Sequence, residues 1–408
     1  MQRGTNLGRL GDFNQAVIFD SIRRAKDGVS RVELAESTGL SPQTISNVVR
    51  RLLDDGLVRE DRTVVSGPGK PRTVLELETN RLMAIGIHLD PGLISLVMLN
   101  LRGEVAVHKR LVAPEVGDPA DTIGIMASAV EELIEESGQP RDRIVGVGVA
   151  APGPLNPAAG IVSGPPLLDG WTEVEVVKPL AEKLGLEVLL EKDTIAAAIA
   201  ELWNGDEEED QNFISVYVGT GIGVGMVVGG EILRGVSNNA GEIGHFSVGE
   251  KAAPCECGRD DCLAGVLSFA HLSAKAREAG LPVDAGEDAG VAARAEAMNT
   301  FVRLAVEEEP AAVELLRGFC ARTADMVGQL VNVLDVDKVI VGGPIWAEVG
   351  HQNIDEVGEI INERFSVRSI HGVRVVSSTL GANVGAIGGA CAVLDAALSP
   401  KASALLLR

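Results

Sequence analysis

Hydrophobic positions recur at helical spacing in three short stretches at the start of the chain. Residues 14–25 place Val17, Ile18 and Ile22 on one face, residues 30–37 form a second helix opened by Ser30, and residues 41–55 form a third. In the third, Ser41 suits the N-cap and Pro42 the first helical position. Ile45, Val48, Val49 and Leu52 line one buried stripe, and Gly56 stops the helix. The opposite face carries Gln43, Thr44, Ser46, Asn47 and Arg50, side chains that can donate to and accept from base edges. With Gly39 in the turn before it, this is helix-turn-helix spacing. Two strand-like runs follow, Leu57–Val65 and Thr73–Glu78, joined by SGPGKPR, the outline of a winged hairpin. Lys70 and Arg72 flank Pro71 beside Gly69, so the tip is extended and basic and fits a narrow minor groove. An amphipathic helix followed by an ordinary loop is the simpler alternative. Helix, turn, helix and basic wing in that order speak for binding to double-stranded DNA.

From residue 82 the period changes. LMAIGIHL, LISLVMLNL and EVAVHKRLVA read as consecutive strands, PADTIGIMASAVEELIEESG as a helix and RIVGVGVA as the strand after it. A similar unit begins at QNFISVYVGTGIGVGMVVGGEILRG. Two strand-rich units, each followed by helices, predict a duplicated two-lobed α/β body with a cleft between the lobes. Residues 281–310, rich in Ala, Glu and Asp, read as helical or loosely ordered and surface-facing.

Charge refines this division. The chain carries a net charge of −22, which by itself argues against nucleic acid, yet residues 1–80 hold 12 Lys+Arg against 11 Asp+Glu. The acid lies in the body, and the near-neutral head remains free to meet phosphates. Aromatic residues make up only 3% of the chain while glycines number 48, so the core must be built from Val, Ile, Leu and Ala with many tight turns. No unbroken run of about 18 apolar residues predicts a membrane span, and the first fifteen residues lack a signal-type apolar block. The expected location is the cytoplasm.

Three of the five cysteines, Cys255, Cys257 and Cys262, fall in a C-x-C-x4-C cluster with His245 ten residues ahead of the first. Three thiolates and an imidazole supply the four soft ligands of a tetrahedral zinc, with a redox cluster or buried thiols as alternatives. Cys320 and Cys391 sit alone in apolar helices and read as small core residues.

VGTGIGVGMVVGGEILRG, AGEIGHFSV and CECGRDDC, in this order, resemble the ROK family, which joins sugar kinases and sugar-responsive repressors. With the head, the resemblance covers nearly the whole chain. It implies an actin-like (ribonuclease-H-like) two-lobed ATPase fold preceded by an α+β winged helix-turn-helix domain. The implied boundaries are 1–79 for the head and 80–408 for the body, with lobes at about 80–205 plus the C-terminal helix and about 211–380. The resemblance further implies that Glu242 and His245 contact sugar hydroxyls, that His245 also ligates zinc, and that Asp193 binds a sugar hydroxyl. As an alternative, Asp193 is only the N-cap of a helix at 194–202.

Departures from the family pattern bear on activity. Lys192 and Leu167 stand where sugar-contacting asparagines are usual, and Ala264 replaces a glutamate. In the first phosphate loop His88 takes the place of an aspartate, Asp90 and Pro91 of two glycines and Gly92 of a threonine. Pro91 has no N–H to offer and Asp90 adds charge where phosphates would lie. The second loop, Gly219–Gly223, and IVGGP at 340–344 persist, which the fold alone can require. The expectation is therefore a non-enzymatic regulator, most simply a repressor. It binds an inverted-repeat operator as a homodimer or dimer of dimers and answers to a small sugar or sugar phosphate. An active ATP-dependent sugar kinase and an effector-independent DNA-binding dimer are the alternatives.

Overall fold

The computed structural model describes residues 7–64, 71–113, 118–165, 168, 170–205, 211–249, 251, 254–255, 257–286 and 289–398. Gly69, Lys70 and Leu167 lie outside them.

The head comprises α1 (Leu7–Arg24), β1 (Val29–Ser30), α2 (Arg31–Thr38), α3 (Pro42–Asp54), β2 (Val58–Val64) and β3 (Arg72–Leu77). α2 opens on a capping box in which Ser30 and Glu33 bond each other's backbone, and it closes on Gly39 at φ 67°. The Ser41 hydroxyl accepts from the Thr44 N–H at 3.2 Å at the start of α3. Such caps are each worth about 1 kcal/mol. Ile45, Val48, Val49 and Leu52 are buried with Ile18, Phe19, Ile22 and Leu34, so the stripe predicted for α3 forms the core of the head. β3 lies between β1 and β2, antiparallel to both. Two points differ from the sequence reading: α1 begins at Leu7 rather than near residue 14, and β1 is not anticipated in it.

The first body sheet is built from β4 (Met83–Asp90), β5 (Leu93–Asn100), β6 (Val105–Val112), β7 (Ile144–Ala151) and β11 (Val188–Lys192), with α4 (Pro119–Ser137) and α5 (Val177–Leu184) in its crossovers. Short strands β8 (Leu155–Asn156), β9 (Ile161–Val162) and β10 (Val174–Glu175) form a small side sheet. After α6 (Asp193–Asn204), the second sheet uses β12 (Phe213–Val218), β13 (Ile222–Val228), β14 (Glu231–Ile232), β15 (Lys338–Gly342) and β16 (Arg374–Ser377). Helices α7 (Leu263–Val266), α8 (Phe269–Glu278), α9 (Val291–Val306) and α10 (Pro310–Leu334) precede β15, and α11 (Pro344–Val349) and α12 (Ile354–Arg364) precede β16. The strand orders are β11-β7-β4-β5-β6 and β16-β15-β12-β13-β14. In each, the central strand is antiparallel to the strand that follows it and parallel to the first strand returned by a helical crossover. This is the duplicated actin-like α/β body, and its topology repeats although the lobes differ in their helices.

The helical, surface-facing reading of 281–310 holds for most of its described residues but misses an inward stripe on α9. α9 packs inward through Phe301 and Ala305, which join the second lobe's core, and Ala297 on it is buried as well. Its Ala-rich composition hid an inward stripe because alanine adds little to a hydrophobic pattern.

α6 and α13 (Val384–Leu398) pack on each other between the sheets, α13 against β4, β5 and β7 and α6 against β12 and β13. The approach is close: a Cβ on Gly388 would stand 1.9 Å from the Ala196 carbonyl oxygen. The stretch Gly381–Leu398 is long and apolar enough to cross a membrane, although the sequence shows no unbroken apolar run. Asn383 and Asp395 interrupt it, and its burial against the first sheet and α6 accounts for its composition. A single apolar cluster joins Ile18, Ile45 and Leu52 of the head to Ile199 and Trp203 of α6 and Ile387 and Leu394 of α13. The head therefore rests on the helix pair.

Candidate functional site

The cysteine loop forms first from local turns. Cys255 and Gly258 close a turn through a backbone bond of 2.9 Å, Gly258 standing at φ 86°. Ser247 bridges to Cys262, which ends the loop as the N-cap of α7. One ligand atom from each of His245, Cys255, Cys257 and Cys262 lies within 4.8 Å of the others. His245 Nδ1 stands 3.3 Å from Cys255 Sγ, and the Cys257 and Cys262 sulfurs are 3.4 Å apart. The N–H of Arg259 and the neighbouring thiols hold the Cys257 thiol down at about 7, in the thiolate range. Burial pushes Cys262 up to about 12, a cost that a bound cation would remove. Number, type and spacing of donors fit one metal ion.

The same turn carries Glu242. Gly241 at φ 97° lies so close to β13 that a Cβ there would meet the Val224 carbonyl oxygen at 1.8 Å, and Ile243 is buried. Glu242 consequently points outward, toward the end of β11. There Lys192, almost wholly buried, pairs with the Glu242 carboxylate and donates to the Asn239 and Ala240 carbonyls at 3.4 Å each. Beside it Glu191 pairs with Arg234. The Asn239 side chain donates to the Leu155 carbonyl at 2.8 Å and accepts from the Leu155 N–H at 2.9 Å. The segment 234–242 is thus pinned to the first lobe by three side chains, none of which the sequence singled out for that role.

Asp193 is the first residue of α6, with Lys192 at the N-cap position and making no side-chain cap. The N-cap alternative for Asp193 is therefore displaced by one residue, although its Oδ1 accepts from the Thr194 N–H at 2.6 Å. Burial pushes its carboxyl up from 3.8 to about 7, with Asp90 and Glu242 adding to the rise against the pull of Lys192 and the Thr194 amide. Asp193 and Glu242 thus lie near enough to act on each other's charge, and His245 follows Glu242 by three residues. Because the folded chain keeps a proton that the unfolded chain releases, stability falls as pH climbs from about 4 to about 7. Asp193→Asn should melt higher than the parent at about pH 8, with a smaller margin at about pH 5. Scanning calorimetry at both pH values checks this, and equal margins would contradict it.

At the phosphate-loop positions, the Thr220 hydroxyl donates to Asp90 and ties the β4–β5 turn to the β12–β13 turn. Asp90 also accepts from the Gly92 N–H at 3.3 Å. Beneath them His88 and Tyr217 are buried edge to face, ring centroids 5.8 Å apart, and neither His88 Nε2 nor the Tyr217 hydroxyl has a partner among the described residues. Burial pushes the imidazole below its usual range and the phenol well above its own, so both are neutral at physiological pH. Gly343 is required by the fold itself: at φ 106°, a Cβ there would stand 2.4 Å from the Val218 carbonyl oxygen.

On the head, Gln43, Asn47 and Arg50 are exposed along α3, with Thr44 and Ser46 partly exposed between them. Gln43 donates to Asn47 at 3.1 Å, and Ser46 turns its hydroxyl back to the Pro42 carbonyl at 2.8 Å. Arg72 is exposed at the start of β3, whereas Arg59 and Arg62 on the wing are engaged by Glu76, Glu78 and Asp61.

The ROK family profile matches residues 85–396. The chain belongs to the ROK family. A MarR family profile matches residues 12–64, from within α1 to the end of β2. The chain is 24% identical to the xylose repressor of Caldicellulosiruptor bescii over 91% of this chain and 92% of that one. It is 26% identical to a glucokinase of Halalkalibacterium halodurans, over 75% of this chain and 93% of that one. Its fold matches the crystal structure of a ROK family transcriptional regulator, a homologue of the E. coli MLC protein, with TM-score 0.74 and 21% identity over 95% and 97% of the two chains.

One further contact joins the head to the ROK body. Arg23 donates to the Trp203 carbonyl at 2.9 Å with its guanidinium 4.0 Å over the indole ring, and Arg24 donates to the Gly205 carbonyl at 3.0 Å. Both also bond Asp20, at 2.7 and 2.8 Å. Burial works to raise the Asp20 carboxyl, but the two guanidinium groups outweigh it and hold it below the usual range. Two cations of α1 thus cover the carbonyls where α6 ends, the terminus at which the helix dipole favours positive charge.

Proposed function

We propose that this ROK protein is a sugar-responsive, DNA-binding transcriptional regulator, a repressor of carbohydrate uptake or catabolism genes, whose degenerate kinase cleft serves as effector pocket. Helix α6 carries this reading. Asp193 opens it at the cleft, and Arg23 and Arg24 of the head hold the carbonyls where it ends. A ligand that favours one arrangement of the lobes can reach the head through that helix.

Asp193, Glu242 and His245 contact the sugar, and one zinc on His245, Cys255, Cys257 and Cys262 braces the turn that carries two of them. The chain does not turn over ATP, because Pro91 gives no N–H and Asp90 is committed to Thr220. The head, 1–79, reads DNA through Gln43, Thr44, Ser46, Asn47, Arg50, Lys70 and Arg72. The body, 80–408, dimerises or forms a dimer of dimers in the cytoplasm and sets two heads on an inverted repeat. Its lobes are 80–205 plus α13, and 211–380. Selection from random duplex DNA followed by gel-shift titration tests this. A two-fold symmetric site is expected, with Arg50→Ala weakening it by about 1–3 kcal/mol at one base position. Enrichment of no sequence, or equal binding to a lone half-site, would overturn the reading.

A further inference from the structure

The Lys192 ammonium is the buried half of an ion pair whose other half is exposed. Lys192 sits at the end of β11 with its side chain about 2% exposed, while the Glu242 side chain it pairs with is 55% exposed. Its Cε, the Asn239 amide oxygen and a Glu242 carboxylate oxygen converge over one backbone point: a Cβ on Gly153 would stand 3.2, 3.2 and 3.5 Å from them. The exposed member of the pair is Glu242 and the buried member is the ammonium. A neutral sugar that takes Glu242 onto its hydroxyls leaves the buried ammonium two long carbonyl contacts and the neighbouring Asp193 carboxyl, a poorer arrangement than the direct pair. An anionic ligand supplies the missing counter-charge as it displaces Glu242.

Resting on the sensor reading above, we infer that the effector is a sugar carrying an acidic group, a carboxylate or a phosphate, which takes Lys192 over from Glu242. Glu242 is then released to the sugar's hydroxyls or to solvent. Lys192 is the residue that sets ligand class, and the pair is the ligand-free resting state.

The test is calorimetric titration of the full, metal-loaded protein with matched probes: glucose, gluconate, glucuronate and glucose 6-phosphate, and xylose with xylonate. Inorganic phosphate and acetate control for a bare anion. The expected result is binding by at least one acidic member about tenfold or more tighter than by its neutral parent, the scale of one charge-assisted bond. The carboxylate and phosphate arms tell the two sources apart. Lys192→Asn should lose that preference. As Lys192 is buried, Glu242→Gln provides the second variant: it removes the competitor, so the acidic probe should bind more tightly while a neutral one does not. Equal binding of neutral and acidic members, or a bare anion binding as well as the acidic sugars, would overturn the inference. So would weaker binding of the acid by Glu242→Gln. Gel shifts on the operator run beside the titrations. A neutral sugar that binds and alters operator affinity overturns this inference alone, whereas silence of every probe in both assays overturns the sensor reading with it.

Discussion

Replacing Arg23 and Arg24 together by alanine should leave the recognition helix folded yet abolish the effect of ligand on operator binding. Neither side chain lies on α3, and both end on the carbonyls of Trp203 and Gly205. Removing them leaves Asp20 largely buried without its cations, a loss on the scale of about 3–5 kcal/mol for a broken buried pair. The head should therefore melt earlier, and limited proteolysis should cut between head and body sooner than in the parent. The apolar contacts of Ile18, Phe19 and Ile22 remain, so operator binding without ligand should survive. A coupling of about 1–3 kcal/mol, the usual size for such linkage, should drop toward zero. Asp20→Asn, which keeps the arginines on the carbonyls, should retain more of it. Full ligand response in the double variant, by gel shift, would show that the signal takes another route.

The metal cluster should give the largest stability effect. Cys257→Ser, or exhaustive chelation, should lower the melting temperature sharply, since structural zinc contributes about 10–16 kcal/mol in small zinc domains and part of that here. The loss should reach function because Glu242 and His245 stand on the same turn. Native mass spectrometry should find one zinc per parent chain and none in the variant. Metal-free protein with the parent's melting temperature and ligand response would contradict the assignment.

Local sequence carried the parts of this molecule that local forces build. The caps Ser30 and Ser41 and the stripe Ile45, Val48, Val49 and Leu52 belong to one helix each, and the alternation from residue 82 yields both sheets. The four zinc-type ligands are close in sequence and meet in space. What escaped depends on residues far apart. Lys192 reads as a mere substitution until Glu242 and the carbonyls of Asn239 and Ala240 come round to its ammonium. Arg23 and Arg24 lie within the predicted first helix, where the sequence gives them no role, and their partners at the end of α6 lie some 180 positions away. β1 is two residues long and leaves no period. Asp193 was a candidate from the start, but its carboxyl is raised chiefly by a burial that only the folded chain creates, with Asp90 and Glu242 adding to it.

The central claim is that ligand in the cleft and operator on the head are energetically linked through α6. Operator dissociation constants, measured with and without the tightest-binding sugar probe for the parent and Asp193→Ala, test it most directly. The parent should show a ligand-dependent shift of about five-fold or more, and operator should change sugar affinity by the same factor. Asp193→Ala should bind operator as the parent does and show no shift. A parent whose operator affinity ignores every probe, or an Asp193→Ala variant that responds as the parent does, would contradict the account.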